Sequence, residues 1–302
     1  MRLQQLQLLL TLARTGSMRA SAVDMNVTQP ALTKALKQLE EEFGATLVLR
    51  SPKGVRLAPA GEMLAARAAT VMREIERARE ELFALTHTTQ TTLSVGVSPA
   101  AALVLAASTI STFQARWPQV RVRLVDTLYP RAMEQLRSGE LDLTLGPLPA
   151  AGLGSDLQAR ALMDSPSVIV VQKGHPLAKA RQLKDLTGAN WLLSGPRLGP
   201  GDPVHLGFEQ RGLDSPKVTV ECDSFSTLLA VLPQMKTLAM VPRRFFEVHG
   251  PRMGLVALGL QETLPRTTIH LIFRADAPLS LPAQRLLDTF LQEALAVGKG
   301  DD

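Results

Sequence analysis

The sequence predicts a multidomain α/β chain: a small basic helix-and-hairpin module, one long helix, and a two-lobed α/β body. Three observations lead there. Residues 1–58 carry a net charge of +4 out of +5 for all 302 residues, so the basic excess is concentrated at one end. Residues 62–95 contain no glycine and are rich in Ala, Glu, Arg and Leu through residue 85, as a long helix requires. Thereafter β-type and helix-type segments alternate, the pattern of an α/β unit built on a mostly parallel sheet. A hydrophobic share of 45% with 20% charged residues supplies several cores and excludes a disordered chain.

Leu3, Leu6, Leu10 and Ala13 step by three and four, which predicts a first helix closed by Gly16. A short second helix follows over about 17–25, capped by Ser17 and lined by the small residues Ala20, Ser21 and Ala22. After the turn at Asn26-Val27, Thr28 caps a third helix with Pro30 in its first turn, ending at Gly44. Leu32, Leu36, Leu39 and Phe43 form its expected buried stripe, and Gln29, Thr33, Lys34 and Lys37 fall on the outer face. Amide, hydroxyl and ammonium groups on such a face suit base edges and phosphates in a major groove, with Ser17 and Arg19 nearby. Residues 46–50 and 55–57 then read as two strands around Ser51-Pro52-Lys53-Gly54. A hairpin bearing Arg50, Lys53 and Arg56 behind a helix-turn-helix is a wing placed for phosphates or the minor groove. The module over 1–58 is therefore expected to be a winged helix-turn-helix.

From Pro59 the chain predicts a helix to about Leu85, with Leu64, Ala68, Val71, Ile75, Ala78, Leu82 and Leu85 alternating steps of four and three. That heptad seam points to a dimer contact within a linker over 59–87, or to packing on the helix's own domain. The run Thr86-His87-Thr88-Thr89-Gln90-Thr91-Thr92 reads as a boundary and hinge. The body, 88–302, reads as two lobes, about 93–162 with 268–302 and about 163–267, joined by crossings near 162–166 and 263–268.

Thr28-Gln29-Pro30-Ala31-Leu32-Thr33, Leu39-Glu40-Glu41-Glu42-Phe43-Gly44 and Leu49-Arg50 resemble the N-terminal signature of LysR-type transcriptional regulators. Leu57-Ala58-Pro59-Ala60-Gly61 is similar to that family's wing-to-linker junction, and threonine replaces its more usual serine at Thr28 and Thr33. Farther on, Leu136-Arg137-Ser138-Gly139-Glu140-Leu141-Asp142 and Gly174-His175-Pro176-Leu177-Ala178 are similar to segments of its periplasmic-binding-protein-like effector domain. The resemblance implies a regulator of promoter DNA that responds to a small-molecule inducer. It also implies a homodimer or homotetramer, bent DNA and contact with RNA polymerase.

Ligands of open α/β sheets sit at the carboxyl ends of strands. Here those ends are Ser98-Pro99-Ala100, Thr127-Leu128-Tyr129, Pro147, Ser194 with Arg197, and Phe225. A hydroxyl at a helix start favours an anion, so the expected effector is a small organic anion such as an aromatic carboxylate or sulfonate. Its charged group would lie near Ser98, Thr127 and Arg197, although Ser98 and Thr127 serve equally as helix caps and Arg197 as a solvated loop charge.

Other readings are a solute-binding module whose basic domain only oligomerises, and a serine hydrolase using Ser98. Gly96-Val97-Ser98-Pro99-Ala100 approaches a nucleophile elbow but lacks its last glycine, and no histidine is marked as its base. No cofactor is implied, because the five histidines and single Cys222 show no metal-ligand spacing and the glycines form no phosphate loop. The lone cysteine, without a signal peptide or membrane-length apolar run, makes the cytoplasm the expected compartment.

Overall fold

The computed structural model describes residues 1–51, 54–86, 91–149, 152–195, 197, 199 and 202–298. The chain divides into two compact units, Met1–Thr89 and Gln90–Arg137 with Leu141–Asp302, the turn Ser138–Glu140 grouping with the first.

In the first unit, α1 (Leu3–Thr15) ends where Gly16 turns to φ 63° and donates its N–H to the Leu12 carbonyl. The Ser17 hydroxyl caps α2 (Met18–Asp24) by accepting from Ala20 N–H at 3.3 Å. Asn26 adopts φ 53° in the turn, a conformation its short polar side chain tolerates, and Val27 N–H closes the turn on Ala22 O at 2.9 Å. Thr28 then caps α3 (Gln29–Phe43) through Ala31 N–H at 3.4 Å. Leu9, Leu12, Leu32, Leu36 and Leu39 join Leu47 in the core between these helices.

Phe43, expected in the buried stripe, is 46% exposed. The core ends one turn earlier, at Leu39, and the chain reverses at Gly44, leaving that ring beyond it. Strands β1 (Val48–Ser51) and β2 (Gly54–Leu57) form the antiparallel wing. Gly54 holds φ 126°, and a Cβ there would lie 2.7 Å from the Gly16 carbonyl oxygen, so the wing lies directly on the end of α1. The long helix α4 (Pro59–Thr86) follows.

The second unit opens with β3 (Thr91–Val97), whose chain continues through α5 (Pro99–Ala101) and a π-helical turn (Ala102–Ala106) into α6 (Ala107–Arg116). Next come β4 (Val120–Asp126), α7 (Arg131–Ser138), β5 (Leu143–Gly146) and β6 (Leu157–Ser165). The second lobe holds β7 (Ser167–Gln172), β8 (Asn190–Ser194), α8 (Asp202–Glu209), β9 (Lys217–Cys222) and α9 (Phe225–Val231). It continues with β10 (Leu238–Pro242), α10 (Arg243–His249) and β11 (Leu255–Ala257). Finally β12 (Thr267–Arg274) and α11 (Leu281–Gly298) return to the first lobe.

The sheets have strand orders β4-β3-β5-β12-β6 and β11-β7-β10-β8-β9. They are mixed rather than mostly parallel: β12 runs antiparallel to β5 and β6, and β7 runs antiparallel to β10 and β11. Helices cover both faces of each sheet, which is why alternate residues of β7 enter different cores, Ile169 and Val171 on one side and Val168 and Val170 on the other. Phe113, Leu271 and Phe290 pack on one face of the first sheet; Met133, Leu136 and Ile272 pack on the other.

The expected first crossing over 162–166 is a strand for most of its length. Only Pro166 separates β6 from β7. Beside it, Ser165 pairs with Thr267, and the Thr268 hydroxyl donates to Asp164 at 2.8 Å, so the two crossings lie side by side. Pro203 stands in the first turn of α8.

Candidate DNA interface and effector cleft

The outer face of α3 is built by helical spacing alone. Gln29, Pro30, Thr33, Lys34 and Lys37 line one open depression, backed by the buried leucines on the opposite side of the helix. Lys34 and Lys37 are exposed, and Lys37 lies 3.6 Å from Glu41 one turn on, a solvent-exposed pair. On α2, Ser17 and Arg19 border a second open face with Thr15, Ala20, Val23 and Asp24. The hydroxyls of Ser17 and Thr28 hold helix starts, so these two residues orient the helices that carry the polar face.

In the wing, Arg50 lies opposite Val55 and Leu49 lies opposite Arg56. Residues directly opposite share a face and neighbours along a strand alternate, so Arg50 and Arg56 project from opposite faces of the hairpin. Both are exposed. Lys53, also expected to contact DNA, lies outside the described residues, as do residues 87–90 of the expected hinge, whose Thr86 ends α4 and whose Thr91 and Thr92 open the strand Thr91–Val97.

The heptad seam of α4 divides between two environments. Ala68 is buried and Leu64 packs on the leucine core of its own unit, so these two are occupied within the chain and not by a partner. Beyond them Val71 is 41% and Leu82 65% exposed; Ala78 is exposed and Ile75 half-buried. Leu85 falls on the helix, with its side chain outside the described set. The sequence pattern ran unbroken because the same 3.5-residue repeat serves first the domain's own core and then an open surface.

Between the two lobes of the second unit lies a cleft of about 600 Å³, its open mouth included. From the first lobe Ser98, Pro99, Ala100, Leu128 and Pro147 line it, each at the carboxyl end of a strand. Leu193, Ser194, Phe225, Met240, Val241 and Pro242 line it from the second lobe. The crossings contribute Ser165, Ser167 and Thr267. Phe225 is held edge-on against Phe245, with ring centroids 5.3 Å apart.

Three residues expected at this site stand elsewhere. Thr127 is buried and donates its hydroxyl to the Gln135 side chain at 3.0 Å, tying the end of β4 to the middle of α7. Tyr129 packs among the Met133–Leu136 cluster. Arg197 is exposed on its loop and is not among the lining residues. The hydroxyls of the crossings escaped sequence reading, because the strand character of β6 was hidden: as an edge strand it carries exposed polar residues among its apolar ones. Cys222 is buried, and burial together with the negative charge of Asp223 pushes its thiol pKa up. A thiol so placed is inert, and a lone cysteine can form no disulfide within the chain. Among the described residues no cluster of potential metal ligands occurs, and no helix is long and apolar enough to cross a membrane.

Comparison with known proteins agrees with this architecture over both units. Residues 3–62 match the family described as "Bacterial regulatory helix-turn-helix protein, lysR family", and residues 86–295 match the "LysR substrate binding domain". The chain belongs to the LysR family of transcriptional regulators. This LysR-family chain is 25% identical to the HTH-type transcriptional regulator TdcA of Escherichia coli over 252 residues, 83% of this chain and 80% of that protein. It is 27% identical to the SDS degradation transcriptional activation protein of a Pseudomonas species, over 96% of both chains.

Among solved structures, the LysR family transcriptional regulator CbnR aligns with a TM-score of 0.69 at 19% identity, covering 97% of this chain and 99% of that one. That likeness is one of fold. Members of the family are DNA-binding regulators rather than enzymes, and Ser98 accordingly acts here as a helix cap facing the cleft, 3.4 Å from Ala101 N–H.

Proposed function

We propose that this chain reads promoter DNA with the α3 face and the wing, and that a small organic molecule in the interlobe cleft changes the outcome of that binding. The observation that carries the reading is the grouping of Gln29, Thr33, Lys34 and Lys37 on one open face of a helix whose opposite side is core. Gln29 supplies the paired donor and acceptor that suit an adenine edge; Lys34, Lys37 and one of the two oppositely facing wing arginines supply phosphate contacts. The open part of α4, around Val71, Ala78 and Leu82, is the dimer contact in this reading and places two recognition helices on two half-sites. Family resemblance extends the assembly to a tetramer, bent DNA, RNA polymerase contact and a cytoplasmic location.

A ligand favours one arrangement of the assembly only through its differential affinity for the two, about 1.4 kcal/mol for each tenfold ratio. Of the three residues expected around the charged group of an organic anion, Ser98 lines the cleft, whereas Thr127 and Arg197 do not. Gel-shift titration of the full chain on the intergenic DNA beside its own gene tests the proposal. Sequence-specific retardation that weakens in Gln29→Ala is expected. Retardation indifferent to sequence would leave a solute-binding module with a basic oligomerisation domain.

A further inference from the structure

Among the described residues, no charged side chain and no side-chain amide lines the cleft. The polar side chains among the described lining residues are five hydroxyls, those of Ser98, Ser165, Ser167, Ser194 and Thr267. A helix start beside the cleft would ordinarily supply a cluster of free N–H groups for an anion. Here the Ser98 N–H donates to the Leu145 carbonyl at 2.7 Å, Pro99 has no N–H, and the Ala101 N–H is bound by the Ser98 hydroxyl. The Ala100 N–H is what that turn has left to offer.

Exposed charges at the neighbouring strand ends are of both signs: Asp126 closes β4 and Asp223 follows β9, while Arg197 follows β8 and Arg243 follows β10, and none of the four lines the cleft. A carboxylate enclosed in the cleft would leave water with no cation among the described lining residues and with few donors, a desolvation cost that hydroxyls only partly offset.

We infer that the cleft takes an uncharged small molecule, with hydroxyl, carbonyl or carboxamide groups against the five hydroxyls and an apolar body against Leu128, Pro147, Phe225 and Met240. The inference rests on the proposal that this cleft is the effector site. Hydroxyls donate and accept equally, so they satisfy a neutral polar group of either sense. Ser194 borders the cleft with its Oγ buried and without a partner in the protein, so a neutral donor or acceptor would complete it once the hydroxyl rotates toward the cleft.

The test is a thermal-shift screen of the full chain at neutral pH against matched sets of carboxylates, primary amides and alcohols, beginning with benzoate, benzamide and benzyl alcohol. Hits are followed by calorimetric titration of wild type, Ser194→Ala and Ala100→Leu, each checked for native circular dichroism. Amides or alcohols that bind about tenfold or more tighter than their carboxylates, and lose about tenfold in Ser194→Ala, support the inference. Carboxylates that bind best and are lost in Ala100→Leu overturn it while leaving the cleft as the effector site. Hits indifferent to both substitutions, or no hit in any set, overturn the cleft assignment and this inference with it.

Discussion

Glu40 on the last turns of α3 reaches across to the wing, where its carboxylate oxygen accepts the backbone N–H of Leu47 at 2.8 Å. The same oxygen lies 3.3 Å from the Val48 N–H, and the Glu40 carbonyl accepts from Gly44 and Ala45. One residue thus ends the recognition helix and fixes the start of the hairpin that follows it.

Replacing Glu40 by alanine removes a charged acceptor from two partly buried N–H groups. A loss of about 1.5–3 kcal/mol in the stability of the first unit is expected, with a smaller loss in Glu40→Gln, which keeps an acceptor. Urea unfolding followed by far-UV circular dichroism measures it; equal losses in the two variants would assign the effect to packing.

The opposed faces of the wing make a separate prediction about salt. Two phosphate-contacting arginines would together reduce the slope of log K against log salt by about 1.8, and one by about 0.9. Because Arg50 and Arg56 project oppositely, the double alanine variant should lose about one phosphate's worth, most of it from a single position. Fluorescence anisotropy at several salt concentrations reads the slope. Loss of two would mean that both side chains fold round to the same backbone.

Along α4, exposure separates association from folding. Leu82→Glu and Val71→Glu place a charge on residues that are 65% and 41% exposed, so each folds normally and weakens self-association. Each lost apolar burial is worth up to about 1.5–3 kcal/mol, about tenfold or more in the dissociation constant seen by analytical ultracentrifugation. Ala68→Leu instead overpacks a site that is 1% exposed and should lower the unit's stability by about 1–3 kcal/mol. Self-association unchanged in both glutamate variants would move the dimer contact off this helix.

Legibility in the sequence followed whether a signal was local. Caps, periodicities and glycine stops depend on residues within one turn, and α2, α3 and α4 lie within a residue or two of where these place them. The cleft residues at strand ends, Ser98, Pro147, Ser194 and Phe225, were legible for the same reason, since each follows an apolar run. Thr127 and Tyr129 were misplaced because periodicity does not say which way a residue turns once its strand has ended. Leu64 and Ala68 shared a pattern with Val71 and Leu82, and only tertiary packing tells a domain's own core from a partner's. The antiparallel return of β12 between β5 and β6 joins residues more than a hundred positions apart, which no local pattern encodes.

Cys222 gives a last prediction, whose sign follows from its surroundings. Burial and Asp223 raise the folded thiol's pKa, so the unfolded chain releases this proton first as pH rises. The stability contribution is complete below the unfolded thiol's range and is lost as pH rises through the folded value. Alkaline conditions therefore destabilise the second lobe, and Asp223→Asn, by removing the smaller of the two causes, should soften that loss without abolishing it. Urea midpoints taken across the alkaline range in wild type, Asp223→Asn and Cys222→Ser measure the effect. In the native state, alkylation by iodoacetamide should be slow at neutral pH and limited by opening of the fold, since the thiol is buried and protonated. Rapid native-state alkylation would contradict that environment.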